Sequence, residues 1–352
     1  MQKYARQIIL PEIGDAGQKK LSAASALCIG AGGLGSPVLL YLAAAGIGRI
    51  GIADHDAVDE TNLHRQILFA NDDIGKSKSA MAQSRLMALN PDIDISSINA
   101  RIDAKNILDI AGGYDIIIDG SDNLPTKFLI NDAAVKLGKP WVYGAVTGFS
   151  GQAALFDATH GPCFRCLYPT PPENPPLNCA EAGVIGAVAG IVGATQSLQA
   201  IQYIVDVNMP ALSGQLWTID GKTMQTHLFQ ISKNPQCETC GPHQHQSEKV
   251  VMIETPNQCA AIRELTVDQA RAKPSAIWID VREIDEWNAG HVESAMHWAL
   301  SKLQAGQLPG MARDAEIILY CQRGRRSLVA ADIMQKNGFK NLFSLAGGYS
   351  AL

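Results

Sequence analysis

Apolar residues at 26–29 form a short continuous run, as in a strand buried on both faces, and a glycine-rich stretch follows at once. Residues 36–45 then carry apolar positions at helical spacing, and a second apolar run at 50–53 ends on Asp54. Strand, turn, helix and strand in that order predict a βαβ unit. Strand patterns at 93–98, 114–118, 141–143 and 152–156 alternate with helical segments such as 77–89 and 127–137. This alternation predicts a doubly wound α/β sheet.

The long apolar stretch 184–205 bears Gln196, Gln199 and Gln202 on one helical face together with several glycines. It reads as a buried or interface helix, not a membrane span. The proline-rich run 169–176 fits neither a helix nor a central strand and is expected to be an extended, mobile crossing. A polar stretch without periodicity begins at 241, and beyond it strand patterns at 277–281 and 316–320 and a helical one at 327–337 form a second, smaller α/β pattern. The expected division is a domain at 1–241, a linker at 242–257 and a domain at 258–352. There is no internal repeat and no low-complexity tract.

Composition narrows the chemistry. The 352 residues are 47% hydrophobic and 18% charged, which suits two globular domains with their own cores. With Lys+Arg at 29 against Asp+Glu at 34, the net charge of −5 argues against a general nucleic-acid binder, so any anion site must be local. The first ten residues contain no apolar export segment, which points to the cytoplasm. Of eight cysteines, four fall in two CxxC pairs, a usage that suits metal binding and thiol chemistry in a reducing compartment.

The turn Gly30-Ala31-Gly32-Gly33-Leu34-Gly35 satisfies GxGxxG between a strand and a helix, and Asp54 follows at the usual distance for holding a ribose hydroxyl. Glycines let a phosphate approach the backbone at a helix N-terminus, and that physics serves NAD, FAD or ATP alike. No GxxxxGK[ST] loop is present. Downstream lie Asn62, Arg65, Gln66, Lys78 and the pair Asp122-Asn123. Two cations and a carboxylate suit MgATP, because attack on an α-phosphate needs cations on developing negative charge and a carboxylate for Mg²⁺. A hydride-transfer site needs neither, although any single Lys or Arg is more often a solvated surface charge. A nicotinamide-dependent oxidoreductase on the same turn and a non-catalytic scaffold are the alternative readings.

Cys163-Phe164-Arg165-Cys166 and Cys237-Glu238-Thr239-Cys240 can together offer four thiolates to one tetrahedral ion, the ligand set of a closed structural Zn²⁺ site. Two separate redox pairs would need helix N-termini in a thioredoxin-like setting, which the proline-rich and Asn-Pro surroundings do not supply. Cys28, in the first strand, and Cys259 read as packing or incidental. Near the C-terminus, Tyr320-Cys321-Gln322-Arg323-Gly324-Arg325-Arg326-Ser327 places a cysteine between a strand and a helix, in a loop with three arginines. Backbone N–H groups, the helix N-terminus and the arginines are expected to favour a thiolate or persulfide at Cys321. A cysteine phosphatase would use CxxxxxR, but the sixth residue after Cys321 is Ser327.

Several motifs carry a resemblance: Tyr4-Ala5-Arg6-Gln7, Leu10-Pro11-Glu12-Ile13-Gly14, GAGGLGSP at 30–37, Tyr41 to Gly46, Asn62-Leu63-His64-Arg65-Gln66, Asp73 to Lys78 and Asp122-Asn123. Over roughly the first 241 residues the chain resembles the E1-like activating family. The most similar members by pattern are the molybdopterin-synthase and thiamine-pathway sulfur-carrier adenylyltransferases. The resemblance implies a Rossmann-like fold in which Gly33, Asp54, Thr61, Asn62, Leu63, His64, Arg65, Lys78, Ser121 and Asp122 surround ATP and its Mg²⁺. It further implies a homodimer, with Arg6 reaching the partner subunit's ATP site, and a zinc knuckle at the cysteine quartet. Some members of the family keep a thiol at the position of Cys179 to accept the activated carrier, while others have no essential cysteine there.

With Trp278 to Glu283, Glu286-Trp287, Gly290-His291-Val292 and Gly347-Gly348-Tyr349, residues 264–352 resemble a single rhodanese domain. That implies Cys321 as a persulfide carrier and a turn-shaping role for His291. Together the resemblances imply ATP-dependent adenylation of the C-terminal glycine of a small ubiquitin-like sulfur carrier ending in Gly-Gly, followed by sulfur transfer to a thiocarboxylate. The implied sulfur donor is a cysteine desulfurase or thiosulfate; no nucleic-acid or membrane partner is implied.

Overall fold

The computed structural model describes residues 2–171, 183–206, 212–242 and 262–352. The chain divides into two compact units, Met1–Glu254 and Thr255–Leu352. The linker expected at 242–257 lies, apart from Pro242, outside the described residues, as do most of the proline-rich run and the whole of Cys179.

The first unit is built on an eight-stranded sheet in the order β3-β2-β1-β4-β5-β6-β7-β8. The strands are β1 (Ser25–Ile29), β2 (Arg49–Ala53), β3 (Asp94–Ile98), β4 (Ile116–Asp119), β5 (Trp141–Thr147), β6 (Ser150–Phe156), β7 (Gln215–Asp220) and β8 (Gln225–Gln230). β3 to β5 run parallel in the sheet, and β6, β7 and β8 add antiparallel to that edge. All five residues of β1 are buried, which is why its apolar run shows no alternation. β1 pairs with β2 on one side and β4 on the other, so the strand order reverses there and a crevice opens beyond the carboxyl ends of the strands.

Each predicted strand and helix of this unit is present, with its ends moved by local chemistry. Expected from 127, the helix Leu124–Leu137 starts earlier because the Asn123 carboxamide oxygen accepts from Thr126 N at 3.0 Å and Pro125 suits the first turn. The apolar stretch ending at 205 forms the helix Gly186–Val205, which buries Gln196 and Gln199 and sets Gln196 against the sheet. No helix among the described residues is long and apolar enough to cross a membrane. One core packs Leu42, Ile50 and Ile52; another, on an aromatic cluster, packs Phe128, Trp141, Phe156 and Phe164.

The second unit is a five-stranded, all-parallel sheet in the order β11-β10-β12-β13-β9. Its strands are β9 (Arg263–Leu265), β10 (Ile277–Asp280), β11 (Met296–His297), β12 (Glu316–Tyr320) and β13 (Asn341–Leu345). β12 is central, and Cys321 follows it directly, so this cysteine is placed by the most buried part of the unit.

Candidate functional site

The turn after β1 closes tightly on the turn after β4. Gly30 has φ +97°, and a Cβ on Gly120 would stand 2.2 Å from the Gly30 carbonyl oxygen, so both positions exclude a side chain. Asp54, at the end of β2, accepts from Ala31 N at 2.8 Å and from Asp56 N at 2.9 Å. Its carboxylate thus ties the glycine turn to the segment that follows β2. A Cβ on Gly33 would lie 3.4 Å from Arg65 Cγ, which places the arginine stem over the turn. Arg65 donates to Thr61 O at 2.9 Å and lies 2.8 Å from His64 Nε2. Asn62 and Gln66 are buried beside it, and Leu63 is half-buried. The sequence-predicted residues Gly33, Asp54, Thr61, Asn62, Leu63, His64, Arg65 and Ser121 therefore meet at the crevice. Lys78 joins them through Asp56, with Nζ 3.0 Å from Asp56 Oδ2.

Two residues that sequence reasoning missed hold the end of β4. Lys127, in the helix Leu124–Leu137, is buried and donates to Asp119 Oδ2 at 2.6 Å, Ser121 O at 3.0 Å and Gly144 O at 2.7 Å. The other oxygen of Asp119 accepts from Ser121 N at 3.0 Å and Ser121 Oγ at 2.6 Å, and Gln196 Nε2 donates to Asp119 O at 2.8 Å. A lysine in a helix pattern carries no sign that it will be buried, so spacing could not find this pair. Asp122 comes next in the chain and is exposed at the rim. Lys127→Met would leave the fully buried Asp119 carboxylate without its cation, and we expect it to cost about 3–5 kcal/mol, read as a lower denaturant midpoint.

Arg6 lies elsewhere. It is exposed on the helical turn Ala5–Ile8, whose flank is held by Asn90 Nδ2 donating to Tyr4 OH at 2.8 Å and Gln7 Nε2 donating to Ala45 O at 3.2 Å. Both contacts sit at the C-terminal end of the helix Gly35–Ala45, whereas the glycine turn is at its N-terminal end. Eleven helical residues separate the two ends by about 16 Å.

The four sulfurs of Cys163, Cys166, Cys237 and Cys240 lie within 4.8 Å of one another. Individual separations are 4.0 Å (Cys163 to Cys166), 3.6 Å (Cys163 to Cys237) and 3.5 Å (Cys166 to Cys240). Four thiolates each about 2.3 Å from a tetrahedral Zn²⁺ would stand about 3.8 Å apart, so the quartet fits such an ion. Hydrogen bonding with Cys166 pushes the Cys163 thiol up, while the same contact holds Cys166 down at about 2. The cluster is anchored to the helix Leu124–Leu137: Phe164 N donates to Asn131 Oδ1 at 2.8 Å, and Arg165 makes a two-pronged bond to Asp132 with both arms at 2.7 Å.

In the second unit Cys321 is only 2% exposed, and Ser327 Oγ lies 3.8 Å from its sulfur. Gly324, at φ +86°, opens the helix Arg325–Lys336 and turns that helix's N-terminus toward the loop. A Cβ on Gly348 would stand 2.1 Å from Cys321 O, and Tyr349 N donates to that carbonyl at 2.7 Å. The loop arginines are not equivalent. Arg326 is bound two-pronged to Glu286, both bonds at 2.6 Å, which lifts Arg326 and lowers Glu286 from their ordinary values. Arg323 is exposed. His291 stacks on Trp287 with ring centroids 3.6 Å apart and bonds Trp287 O through Nδ1 at 3.1 Å.

Comparison with known proteins matches residues 4–239 to the ThiF family and residues 265–352 to the rhodanese-like domain. A sulfur carrier protein adenylyltransferase of Thermus thermophilus is 43% identical over 71% of this chain and 94% of its own length. A probable adenylyltransferase/sulfurtransferase of Mycobacterium tuberculosis is 37% identical over 99% of this chain and 92% of its own. Among solved structures, E. coli MccB with ATP superposes with a TM-score of 0.61 at 24% identity, covering 68% of this chain and 74% of that one, a likeness of fold. With two thirds of its residues matched by the ThiF family model and a near full-length relative above a third identical, this chain belongs to the ThiF family and carries a rhodanese-like domain behind it.

Proposed function

We propose that this protein uses ATP to adenylate the C-terminal glycine of a small ubiquitin-like sulfur carrier and then delivers sulfur to it from a Cys321 persulfide. One observation carries the reading: the glycine turn, Arg65, Lys78 and the end of β4 that bears Asp122 converge beyond the carboxyl ends of β1 and β4. The names of the two relatives support both activities. In the first half-reaction a carrier carboxylate oxygen attacks the α-phosphorus, and pyrophosphate leaves with the bonding pair of the broken P–O bond. Arg65 and Lys78 supply cations for the growing negative charge; Asp54 suits a ribose hydroxyl and Asp122 a Mg²⁺. In the second, the outer sulfur of the Cys321 persulfide displaces AMP from the acyl-adenylate, forming an acyl disulfide. A second thiolate then attacks the Cys321 sulfur, releasing the thiocarboxylate and leaving a disulfide that a reductant must reopen. A cysteine desulfurase or thiosulfate would recharge Cys321.

Arg6 fits the same reading from a second subunit, since its own chain holds it at the far end of the Gly35–Ala45 helix from the phosphate turn. Mixing Arg6→Ala with Asp122→Ala protein tests this: each alone should be inactive, and mixed dimers should regain a fraction of carrier-dependent ATP–pyrophosphate exchange. No recovery in verified mixed dimers would remove Arg6 from the partner's site. The cysteine quartet is proposed to hold a structural Zn²⁺, with no part in catalysis. Cys163→Ala or Cys240→Ala should lose the metal and lower the melting temperature, because metal binding free energy is folding free energy. Freshly purified protein containing no stoichiometric zinc would overturn that assignment.

A further inference from the structure

Lys78 is the first residue of the helix Lys78–Leu89, where the helix dipole disfavours a cation, and its side chain is only 7% exposed. An ammonium so placed needs an anion close by, and Asp56 supplies one at 3.0 Å. The pair is held in register by the backbone. Ala57 and Ser77 form an antiparallel bridge, Lys78 N donates to Asp56 O at 2.9 Å, and Val58 N donates to Lys76 O at 2.9 Å. Asp56 is connected in turn to the ribose-side carboxylate, because its own N–H donates to Asp54 Oδ1 at 2.9 Å. The Asp56 side chain is 55% exposed, with His55 Nε2 3.5 Å from its other oxygen, so the carboxylate can give up its partner and be hydrated instead at little cost.

We propose that Asp56 is a positioning residue for adenylation: it holds Lys78 at the crevice and yields it to a nucleotide phosphate, taking it back as pyrophosphate leaves. This rests on the reading of Lys78 as a phosphate contact. Asp56 and the phosphate compete for one ammonium, so the carboxylate lowers nucleotide and pyrophosphate affinity and in exchange keeps Lys78 in place and speeds release.

The test is a double-mutant cycle of Asp56→Asn and Lys78→Met, read by MgATP titration and by KM and kcat of ATP–pyrophosphate exchange. Asp56→Asn is expected to bind MgATP about three- to fivefold more tightly and to lower KM and kcat together, the scale of a half-exposed ion pair. In the Lys78→Met background the same substitution should leave MgATP affinity unchanged. Asp56→Glu, which keeps the charge, should return most of the wild-type values and guards against a folding defect in the asparagine variant. Unchanged or weaker binding by folded Asp56→Asn would overturn the proposal, as would an equal gain in both backgrounds, which would mean a general charge effect. If Lys78→Met itself binds MgATP like the wild type, the Lys78 contact falls first; if it binds weakly but Asp56→Asn shows no coupling, only the role of Asp56 falls.

Discussion

Asp122→Ala is expected to lower carrier-dependent ATP–pyrophosphate exchange by roughly a thousandfold, on the order of 4 kcal/mol of transition-state stabilisation, while the protein folds as before. Asp122 is exposed, and its hydrogen bond is a long one from Asn123 Nδ2 at 3.5 Å, so truncation leaves no buried group unpaired. The helix cap belongs to Asn123, which stays, and Asp119 and Lys127 still hold the end of β4. Stability and activity therefore separate at this position, whereas at Lys127 they would fall together. A urea midpoint alongside the exchange rate reads both. Undiminished exchange in a folded Asp122→Ala protein would remove this carboxylate from the nucleotide site and with it the assignment of Mg²⁺ to Asp122.

The second large effect is at Cys321. Cys321→Ala should keep ATP–pyrophosphate exchange within about twofold and abolish sulfur transfer from thiosulfate or a persulfide donor, since no sulfur moves until AMP leaves. The two units have separate cores, those of the first around Ile50 and around Trp141 and that of the second around Ile279 and Leu319, so loss of one sulfur in the second leaves the crevice of the first intact. Mass spectrometry of the carrier reads the outcome as replacement of one terminal oxygen by sulfur. A Cys321→Ala enzyme that still made full thiocarboxylate from thiosulfate would overturn the role given to the second unit. Cys179→Ala is the informative companion. Exchange without thiocarboxylate would identify Cys179 as the thiol joining the half-reactions, and continued thiocarboxylate formation would exclude it.

How much of this could be read before folding depends on which interaction each feature uses. Gly30, at φ +97° in the glycine turn, answers a local backbone requirement that leaves a mark in residue type and spacing. Gly120, which only a close approach of two distant backbones requires, and the Asn123 cap that moves its helix start from the expected 127 to 124 left no such mark. The hairpin of β7 and β8 left none. The six residues of β8 are all exposed at the sheet edge, so no apolar alternation announces it, and only pairing with β7 makes it a strand. The loop at Cys321 was legible as strand, turn and helix, but the two-pronged ion pair that Glu286 makes with Arg326 from 40 residues away was not.

The sequence by itself determined the two α/β units, the glycine turn with Asp54 at its distance, the pairing capacity of four cysteines and the placement of Cys321 after a strand. These follow from steric limits, hydrophobic period and ligand spacing, which act over a few residues or through residue chemistry alone. The tertiary structure decided which charges are neutralised and by whom: Lys127 by Asp119, Arg165 by Asp132, Lys78 by Asp56 and Arg326 by Glu286. It also decided that Arg6 stands away from its own chain's glycine turn. A charge draws a specific partner when folding takes it out of water, and that desolvation depends on which distant segments close over it.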